Sequence, residues 1–188
     1  SKVYTLGELV HNELVTEYLK DRGVEALPES QWRNLKAGDV ALIRAHGIPL
    51  ELEEELREKG VVLHDATCKV VKKIHHIVDE RHEAGDFVYV VGDKNHDEVI
   101  GTFSHTRGDG AIISEENEVK VLSKPCSIVF QTTILADKYQ KFCDFVVNLQ
   151  KNTDKSFGIF DTICYTTKAR QDETRALAQE YDAVLVLG

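Results

Sequence analysis

Long apolar runs and a surplus of positive charge are both missing from this sequence of 188 residues. No stretch of 18 or more residues is apolar throughout, so we expect no segment that spans a membrane. The net charge of −9 argues against a nucleic-acid partner, because phosphate backbones are bound by clustered Lys and Arg side chains. A small anionic ligand is compatible with this charge, since a site binds through its local donors.

The sequence also lacks closely spaced cysteines and a secretion signal. Its first residues do not show the basic and then apolar pattern of a signal peptide. The four cysteines, none in a CxxC pair, therefore indicate reduced thiols in the cytoplasm rather than a disulfide framework. Because zinc sites usually need CxxC or HxxxH spacing, a mononuclear zinc protein is the least favoured function.

Seven short apolar runs rich in Val, Ile, Phe and Tyr are separated by helix-length amphipathic stretches. The runs are too short for helices and predict buried strands. Strands that alternate with helices predict an α/β fold with parallel sheets. The predicted strands are Val3–Leu6, Val40–Ile43, Val61–Leu63, Phe87–Val91, Ile128–Phe130, Phe157–Phe160 and Ala183–Leu187.

Helical spacing of apolar residues is clear in two of the intervening stretches, Val70–Val78 and Tyr139–Leu149. Helix ends are predicted just before Gly23, Gly60 and Gly85, because glycine is the preferred residue after a last helical turn. No linker rich in Gly, Ser or Pro divides the chain. Domain boundaries are therefore indicated by a repeat in the sequence and not by composition.

Such a repeat is visible in two Asp-x-x-Cys loops that follow apolar strands. Asp65-Ala-Thr-Cys68 and Asp161-Thr-Ile-Cys164 lie 96 positions apart, about the length of one small α/β unit. We therefore expect repeated, doubly wound units with parallel sheets around a central cluster site. The boundaries fall at 1–67 for a partial first unit, 68–160 for the second and 161–188 for the start of a third.

Cysteine and histidine also have plain structural interpretations. A cytosolic cysteine is often a small buried hydrophobic residue, which is the alternative for Cys68 and Cys164 and the prediction for Cys126 and Cys143. Three histidines lie off the apolar stripe of the helix after Cys68 and are expected on a solvated face. They are His75, His76 and His82.

Polar residues concentrate directly after the predicted strands, where open α/β sheets bind their ligands. Several of these loops open helices, whose free N–H groups suit phosphate oxygens. Thiols beside such loops predict a metal or cluster next to a phosphate pocket. Glu98 has an alternative role as a helix-start carboxylate. The candidate residues are His11, His46, Cys68, His96, Glu98, Gln131, Thr132 and Cys164.

Six segments in register identify a likeness to a known family. They are LVHN at 9–12, AHG at 45–47, DATC at 65–68, NHDEVIGT at 95–102, QTT at 131–133 and DTICYTTKARQ at 161–171. The sequence resembles the 4-hydroxy-3-methylbut-2-enyl diphosphate reductases, the last enzymes of the bacterial non-mevalonate route to isoprenoids. The resemblance spans nearly the whole chain.

The resemblance implies an oxidoreductase that removes the hydroxyl group of its allylic diphosphate and releases isopentenyl and dimethylallyl diphosphate. A [4Fe–4S] cluster held by three thiolates, two of them Cys68 and Cys164, would bind the substrate hydroxyl at an open iron. Ferredoxin or flavodoxin is the implied electron donor.

The resemblance also implies roles for the remaining candidates. Glu98 corresponds to the proton-delivering carboxyl group, and Thr132, beside Gln131, to the hydroxyl that holds the substrate alcohol. His96 lies next to this machinery and also faces the diphosphate. The histidines expected around the diphosphate are His11, His46 and His96.

The family pattern extends beyond this chain at both ends. It has a first cysteine loop before the segments matched here and a Ser-x-Asn diphosphate motif after them. We therefore expect residues 1–188 alone neither to hold an intact cluster nor to turn over. The alternative function is a non-catalytic phosphate-ester-binding or regulatory α/β module that keeps the pocket and lacks the redox chemistry.

Overall fold

The computed structural model describes residues 3–9 and 12–186, and within them the chain forms two four-stranded parallel sheets. The strand orders are β2-β1-β3-β4 and β6-β5-β7-β8, so the two sheets repeat one topology. The predicted α/β fold is confirmed. The first sheet contains β1 (Val3–Leu6), β2 (Val24–Leu27), β3 (Val40–Ile43) and β4 (Val62–Asp65). The second contains β5 (Phe87–Val91), β6 (Gly110–Ile113), β7 (Cys126–Phe130) and β8 (Phe157–Ile159).

Helices connect the strands, and both helices predicted from periodicity are confirmed as α4 and α6. Gly23, Gly60 and Gly85 have φ values of 81°, 80° and 83°, which confirms them as residues that end a helical segment in the left-handed region. The α-helices are α1 (Glu13–Lys20), α2 (Glu29–Trp32), α3 (Leu50–Glu58), α4 (Lys69–Glu83), α5 (Asp97–Ser104), α6 (Ala136–Lys151) and α7 (Tyr165–Glu180).

Six of the seven predicted strands are confirmed, three of them with the predicted ends and three with ends that shift by one or two residues. The sequence did not predict β2 and β6, which are edge strands and are only partly buried. The prediction of a strand at Ala183–Leu187 is wrong over 183–186, the part that the structure describes. A strand needs a hydrogen-bonding neighbour, and Leu185 is 84% exposed with no strand beside it among the described residues.

The two sheets are covered differently. On the first sheet, Leu6 and Ile43 pack with Leu52 and Leu56 of α3 in one apolar core, whereas α1 has no buried residue. The second sheet is packed on both faces. The core with α6 contains Ile128, Phe130, Phe142 and Val146. The opposite core, with α4 and α5, contains Ile74, Val78, Val88, Val99 and Val129.

Helix α5 brings the two sheets together. The Leu50 N–H, at the start of α3, donates to Ser104 Oγ of α5 at 2.8 Å. A Cβ atom at Gly101 of α5 would lie 3.5 Å from the carbonyl oxygen of Ile48 and 3.7 Å from that of His46. This close approach sets the loop after β3 against the helix that follows β5.

Candidate active site between the two sheets

Two of the predicted pocket histidines meet where the sheets approach each other. His46 follows β3, His96 precedes α5, and their ring centroids are 5.3 Å apart at an interplanar angle of 89°. Burial lowers the pKa of His46, and the nearby Arg44 and His96 lower it further. His46 is therefore neutral at pH 7 and offers one ring N–H. The third predicted histidine, His11, lies outside the described residues.

His96 is also the N-cap of α5. Its Nδ1 accepts the backbone N–H of Glu98 at 3.2 Å. A ring nitrogen that accepts carries no proton, so the neutral tautomer has its proton on Nε2. The cap therefore fixes both the orientation of the ring and the atom that can donate to a ligand.

Glu98 is a buried carboxyl group, 3% exposed, in the first turn of α5. Its Oε1 accepts the backbone N–H of Thr132 at 2.7 Å, and its Oε2 accepts the Thr132 hydroxyl at 2.8 Å. The structure therefore places Glu98 at a helix start, as the structural alternative predicted, and also against Thr132. These two predicted catalytic residues contact each other across the loops after β5 and β7.

Gln131 orders the loop after β5. Its Oε1 accepts the backbone N–H of Asp93 at 3.0 Å. A Cβ atom at Gly92 would lie 2.7 Å from that oxygen and 2.5 Å from Val99 Cγ2, so no larger residue fits at position 92 without displacing its neighbours. Gln131 thus holds the segment that leads to His96, whichever ligand the pocket binds.

The two cysteine loops have the same backbone geometry. Cys68 and Cys164 are the N-caps of α4 and α7. The Cys68 N–H donates to the carbonyl oxygen of Ala45 at 2.9 Å, and the Cys164 N–H to that of Thr132 at 2.9 Å. Ala45 and Thr132 both stand two residues after the end of a central strand, β3 and β7 respectively.

The aspartates of these loops are equivalent as well. Asp65 Oδ1 accepts the Thr67 N–H at 2.9 Å, and Asp161 Oδ1 accepts the Ile163 N–H at 3.2 Å. Both form turns in which the side chain hydrogen-bonds to the backbone two residues on. The repeat in the sequence is therefore a repeat of loop structure.

The surroundings of the cysteines differ in ways that bear on ligation. Cys68 is exposed, so its alternative as a buried hydrophobic residue is wrong. Cys164 is partly buried, and its pKa is lowered chiefly by the backbone N–H of Thr167. Cys126 is 2% exposed and confirmed as core, whereas Cys143 is only partly buried. Within the described residues no three His, Cys, Asp or Glu side chains come together as a metal site.

An ion pair that the sequence did not predict flanks the histidines. Arg44, directly after β3, is buried and pairs with Asp97, the first residue of α5. Its guanidinium also lies against Gly7, which has a φ of +84° and where a Cβ atom would be 2.9 Å from Arg44 Cζ. The position of Arg44 after a strand was a visible signal, but its partner lies 53 residues away and no local pattern connects them.

The prediction of a solvated face is wrong for His75. Its ring stacks on that of His105 at 4.2 Å, and burial, followed by His105, lowers its pKa to about 4. A Cβ atom at Gly47 would lie 3.1 Å from His75 Cε1, so the ring packs beneath the loop that carries His46. His82 is also partly buried, while His76 is exposed as predicted. Helix α4 contacts both the second sheet and this loop, which a single apolar stripe does not predict.

The sequence of this chain is similar to those of known proteins. A family model described as LytB protein matches residues 1–188. The 4-hydroxy-3-methylbut-2-enyl diphosphate reductases of Aquifex aeolicus and Caldanaerobacter subterraneus subsp. tengcongensis are 40% and 37% identical to the chain. All of this chain is aligned with them, and it spans 64% and 65% of their lengths.

Solved structures give the same result. A structure of (E)-4-hydroxy-3-methyl-but-2-enyl diphosphate reductase matches with a TM-score of 0.77 and 36% identity, over 97% of this chain and 64% of that one. The E-1-hydroxy-2-methyl-but-2-enyl-4-diphosphate reductase from Plasmodium falciparum matches with a TM-score of 0.83 and 25% identity, over 95% and 56%. No helix in the described part of the chain is long and apolar enough to cross a membrane. The chain belongs to the LytB protein family.

Proposed function

We propose that this chain is part of a cytoplasmic bacterial iron–sulfur reductase that removes the hydroxyl group of (E)-4-hydroxy-3-methylbut-2-enyl diphosphate. The products are isopentenyl and dimethylallyl diphosphate. The reaction consumes two electrons and two protons, since the hydroxyl leaves as water and a hydrogen is added to carbon. The names of the relatives and the arrangement of thiols, histidines and a buried carboxyl group support this proposal.

One observation carries the proposal more than any other. Thr132 accepts the Cys164 N–H with its carbonyl oxygen and binds Glu98 with its hydroxyl and its N–H. A thiol suited to a cluster and a buried carboxyl group suited to proton transfer are thus held by one residue. This is the proximity that reductive loss of a hydroxyl group needs, because electrons and protons must reach one substrate.

The thiols fit the group that the family resemblance implies. Iron–sulfur clusters are held by cysteine thiolates, and backbone N–H groups at a helix start favour the thiolate form. Cys68 and Cys164 are the N-caps of α4 and α7 in equivalent loops, and at Cys164 the backbone N–H groups lower the pKa of the thiol. When bound, a cluster supplies single electrons and an iron that acts as a Lewis acid toward the hydroxyl oxygen. Cys126 lies in β7 and Cys143 in α6, and neither stands in a loop like those of Cys68 and Cys164. The third thiolate would therefore come from outside residues 1–188.

Glu98 and Thr132 would hold and deliver the proton. A hydroxyl group both donates and accepts, so the Thr132 hydroxyl can donate to ionised Glu98 and accept from the protonated acid. The bond at 2.8 Å therefore persists in both protonation states. Burial keeps bulk water from this carboxyl group, which directs its proton to a bound substrate.

His46 and His96 would bind the diphosphate. His96 presents Nε2–H, because its Nδ1 caps α5, and the start of α5 adds backbone dipoles that favour an anion. His46 lies 5.3 Å away, centroid to centroid. We assign His11 to the same pocket from its position in the sequence. Gln131, in the loop after β7, is assigned as a substrate-binding residue.

We also propose that residues 1–67, 68–160 and 161–188 belong to three units around the cluster. Since two thiolates do not complete a cluster site, residues 1–188 alone should neither hold an intact cluster nor turn over. A ferredoxin or flavodoxin would supply electrons to the full-length protein. The four free cysteines agree with a reducing compartment.

Anaerobic reconstitution tests the function directly. Iron and sulfide are added to the 188-residue chain and to a full-length version, and cluster absorption is measured, together with conversion of the allylic diphosphate in the presence of reduced ferredoxin or flavodoxin as the electron donor. The full-length protein should show both. A stable cubane spectrum with turnover in the 188-residue chain would contradict the proposed incompleteness, and no turnover in the reconstituted full-length protein would contradict the reductase itself.

A second function is favoured by His96 at the start of α5 and His46 beside it, since such groups bind phosphate without redox chemistry. A full-length protein that binds the allylic diphosphate but never reduces it, with a reconstituted cluster and a competent donor, would be a phosphate-ester-binding or regulatory module. The same reconstitution experiment separates the two functions.

A further inference from the structure

Arg44 is a buried cation, and among the described residues Asp97 is its one ion-pair partner. Its side chain is 9% exposed, and its terminal nitrogen pairs with an oxygen of Asp97, whose side chain is 45% exposed. Arg44 Nε is buried and has no hydrogen-bond partner among the described residues. A guanidinium removed from water in this way exerts its field on nearby groups with little screening.

The pair stands directly beside the histidines. Arg44 precedes His46 by two residues in the loop after β3, and Asp97 follows His96 at the start of α5. The ion pair therefore spans the gap between the sheets that the two rings also span at 5.3 Å. A ligand held between the rings lies within the field of both charges.

The electrostatics of His46 agree with this geometry. After burial, the largest influence on its pKa is Arg44, which lowers the pKa, whereas Asp97 and Glu98 raise it. Both members of the pair therefore act on the pocket, with opposite signs. At His46 the influence of Asp97 is the smallest of these, so Asp97 offsets part of the field of Arg44 there.

We propose that Arg44 and Asp97 form a balanced charge pair that sets how tightly the adjoining histidine pocket binds a diphosphate. Arg44 supplies attraction for the anion, and Asp97 cancels part of it, so that the diphosphate of a product is also released. This inference deepens the proposed function and rests on the pocket being a diphosphate site.

The test is a charge cycle in the full-length, cluster-loaded protein, with inorganic pyrophosphate as the probe and calorimetry as the measurement. Arg44→Gln leaves Asp97 unbalanced and should weaken binding by about tenfold or more. Asp97→Asn leaves Arg44 unbalanced and should tighten binding by about three- to tenfold. The double variant should return most of the way to the wild-type affinity.

A matched control is Arg57→Gln, which removes one arginine from an exposed pair with Glu53 on α3. Its pyrophosphate affinity should stay within about twofold of wild type, because exposed charges are screened. Thermal unfolding of every variant is recorded in parallel. If Arg44→Gln does not fold, the pyrophosphate affinity of Asp97→Asn decides, since a purely structural pair predicts no tighter binding.

If Arg44 and Asp97 only linked the two sheets, the pyrophosphate affinities of the variants would follow a different pattern. Weaker binding in Asp97→Asn, or no recovery in the double variant, would overturn the inference and leave the pair as a link between the sheets. Unchanged affinity in Arg44→Gln would overturn it as well. These outcomes are distinct from failure of the reductase function, in which the wild-type protein binds pyrophosphate with the predicted cycle but does not turn over.

Discussion

The two sheets share one strand order and one cysteine-loop geometry, yet they differ in packing and in chemistry. The second sheet has apolar cores on both faces and carries Glu98 in the loop-and-helix segment after β5. The first sheet has one apolar core, and its α1 has no buried residue among those described. Cys68, which follows β4, is exposed, whereas Cys164, which follows β8, is partly buried.

Under the proposed function, this difference lets one repeated frame support two tasks. A carboxyl group that transfers protons needs a rigid and dry site, and two packed faces provide it around Glu98 and Thr132. A group that binds a charged ligand needs access, and the loop after β3 provides it at His46. We infer that the second sheet carries the proton chemistry, and that its His96 shares the binding of the diphosphate with His46 of the first sheet.

The sharpest test of this division compares Glu98→Gln with His46→Gln in the full-length protein, assayed for the proposed reductase activity. Glu98→Gln should lower kcat by about 100-fold or more while the substrate still binds, because an amide cannot deliver the proton. His46→Gln should chiefly raise KM. Steady-state kinetics measures both, with the exposed Glu83→Gln as the control. Normal activity in Glu98→Gln would show that the proton-donor assignment is wrong.

Core substitutions test the packing difference. Phe142→Ala, in the second sheet's core with α6, should lower the free energy of unfolding by about 3–5 kcal/mol. Leu56→Ala, in the first sheet's core, should cost about 2–4 kcal/mol. Val147 on α6 is 48% exposed, so Val147→Ala should change the free energy of unfolding by less than about 0.5 kcal/mol. Urea unfolding provides the values, and a larger loss from Leu56→Ala than from Phe142→Ala would contradict the comparison.

Thiol reactivity tests the cysteine surroundings without a cluster. Backbone N–H groups, first that of Thr167, lower the pKa of Cys164, whereas burial raises the pKa of Cys126. In the native, cluster-free chain, alkylation of Cys164 should therefore begin at lower pH than that of Cys126. Mass spectrometry after timed iodoacetamide treatment locates the label, and the same reaction in urea is the control. Equal pH profiles in the native chain would contradict these assignments.

The smallest expected effect is a difference in stability between substitutions of Asp65 and Asp161, the aspartates of the two cysteine loops. Burial alone would raise the pKa of Asp65, but hydrogen bonds from Lys72 and Thr67 outweigh it and lower the pKa. Asp65→Asn keeps the turn and removes the charge, so it should cost about 0.2–1 kcal/mol of stability at neutral pH. Since the folded pKa is lowered, this contribution is present above the ordinary value near 4 and is lost as the pH falls below it.

Asp161→Asn is the matched variant. Lys168 occupies the position equivalent to Lys72, but among the described ion pairs it has none with Asp161. The Asp161 substitution should therefore cost less than the Asp65 substitution in urea unfolding at pH 7. Equal losses would show that the turn, and not the ion pair with Lys72, carries the effect.

Local patterns predicted the parts of this fold that local physics dictates. Buried strands such as Phe87–Val91 need an unbroken apolar run, and α4 and α6 need one apolar face, so both are readable from spacing. The edge strands β2 and β6 bury less surface and left no such run. The run at 183–187 looked like a strand because composition does not reveal whether a neighbouring strand is present.

The candidate site likewise has residues that the sequence predicted and contacts that it did not predict. Its residues were found because ligands of parallel sheets bind beyond the strand ends, and the contact of Glu98 with Thr132 agrees with that reasoning. Arg44 with Asp97 and His75 with His105 were not found, since each pair joins elements distant in the sequence. The burial of His75 depends on a loop that packs over it from the first sheet.

The sequence by itself determined the strand–helix alternation, the repeated Asp-x-x-Cys loops and the set of polar residues at the strand ends. These follow from periodicity and from short-range hydrogen bonding, which act within a few residues. Only the tertiary structure decided that one residue, Thr132, holds both a thiol loop and a buried carboxyl group, and that an ion pair joins the sheets beside the histidines. Such contacts depend on how α5 and the loops after β3 and β7 pack together, and no local pattern encodes that packing.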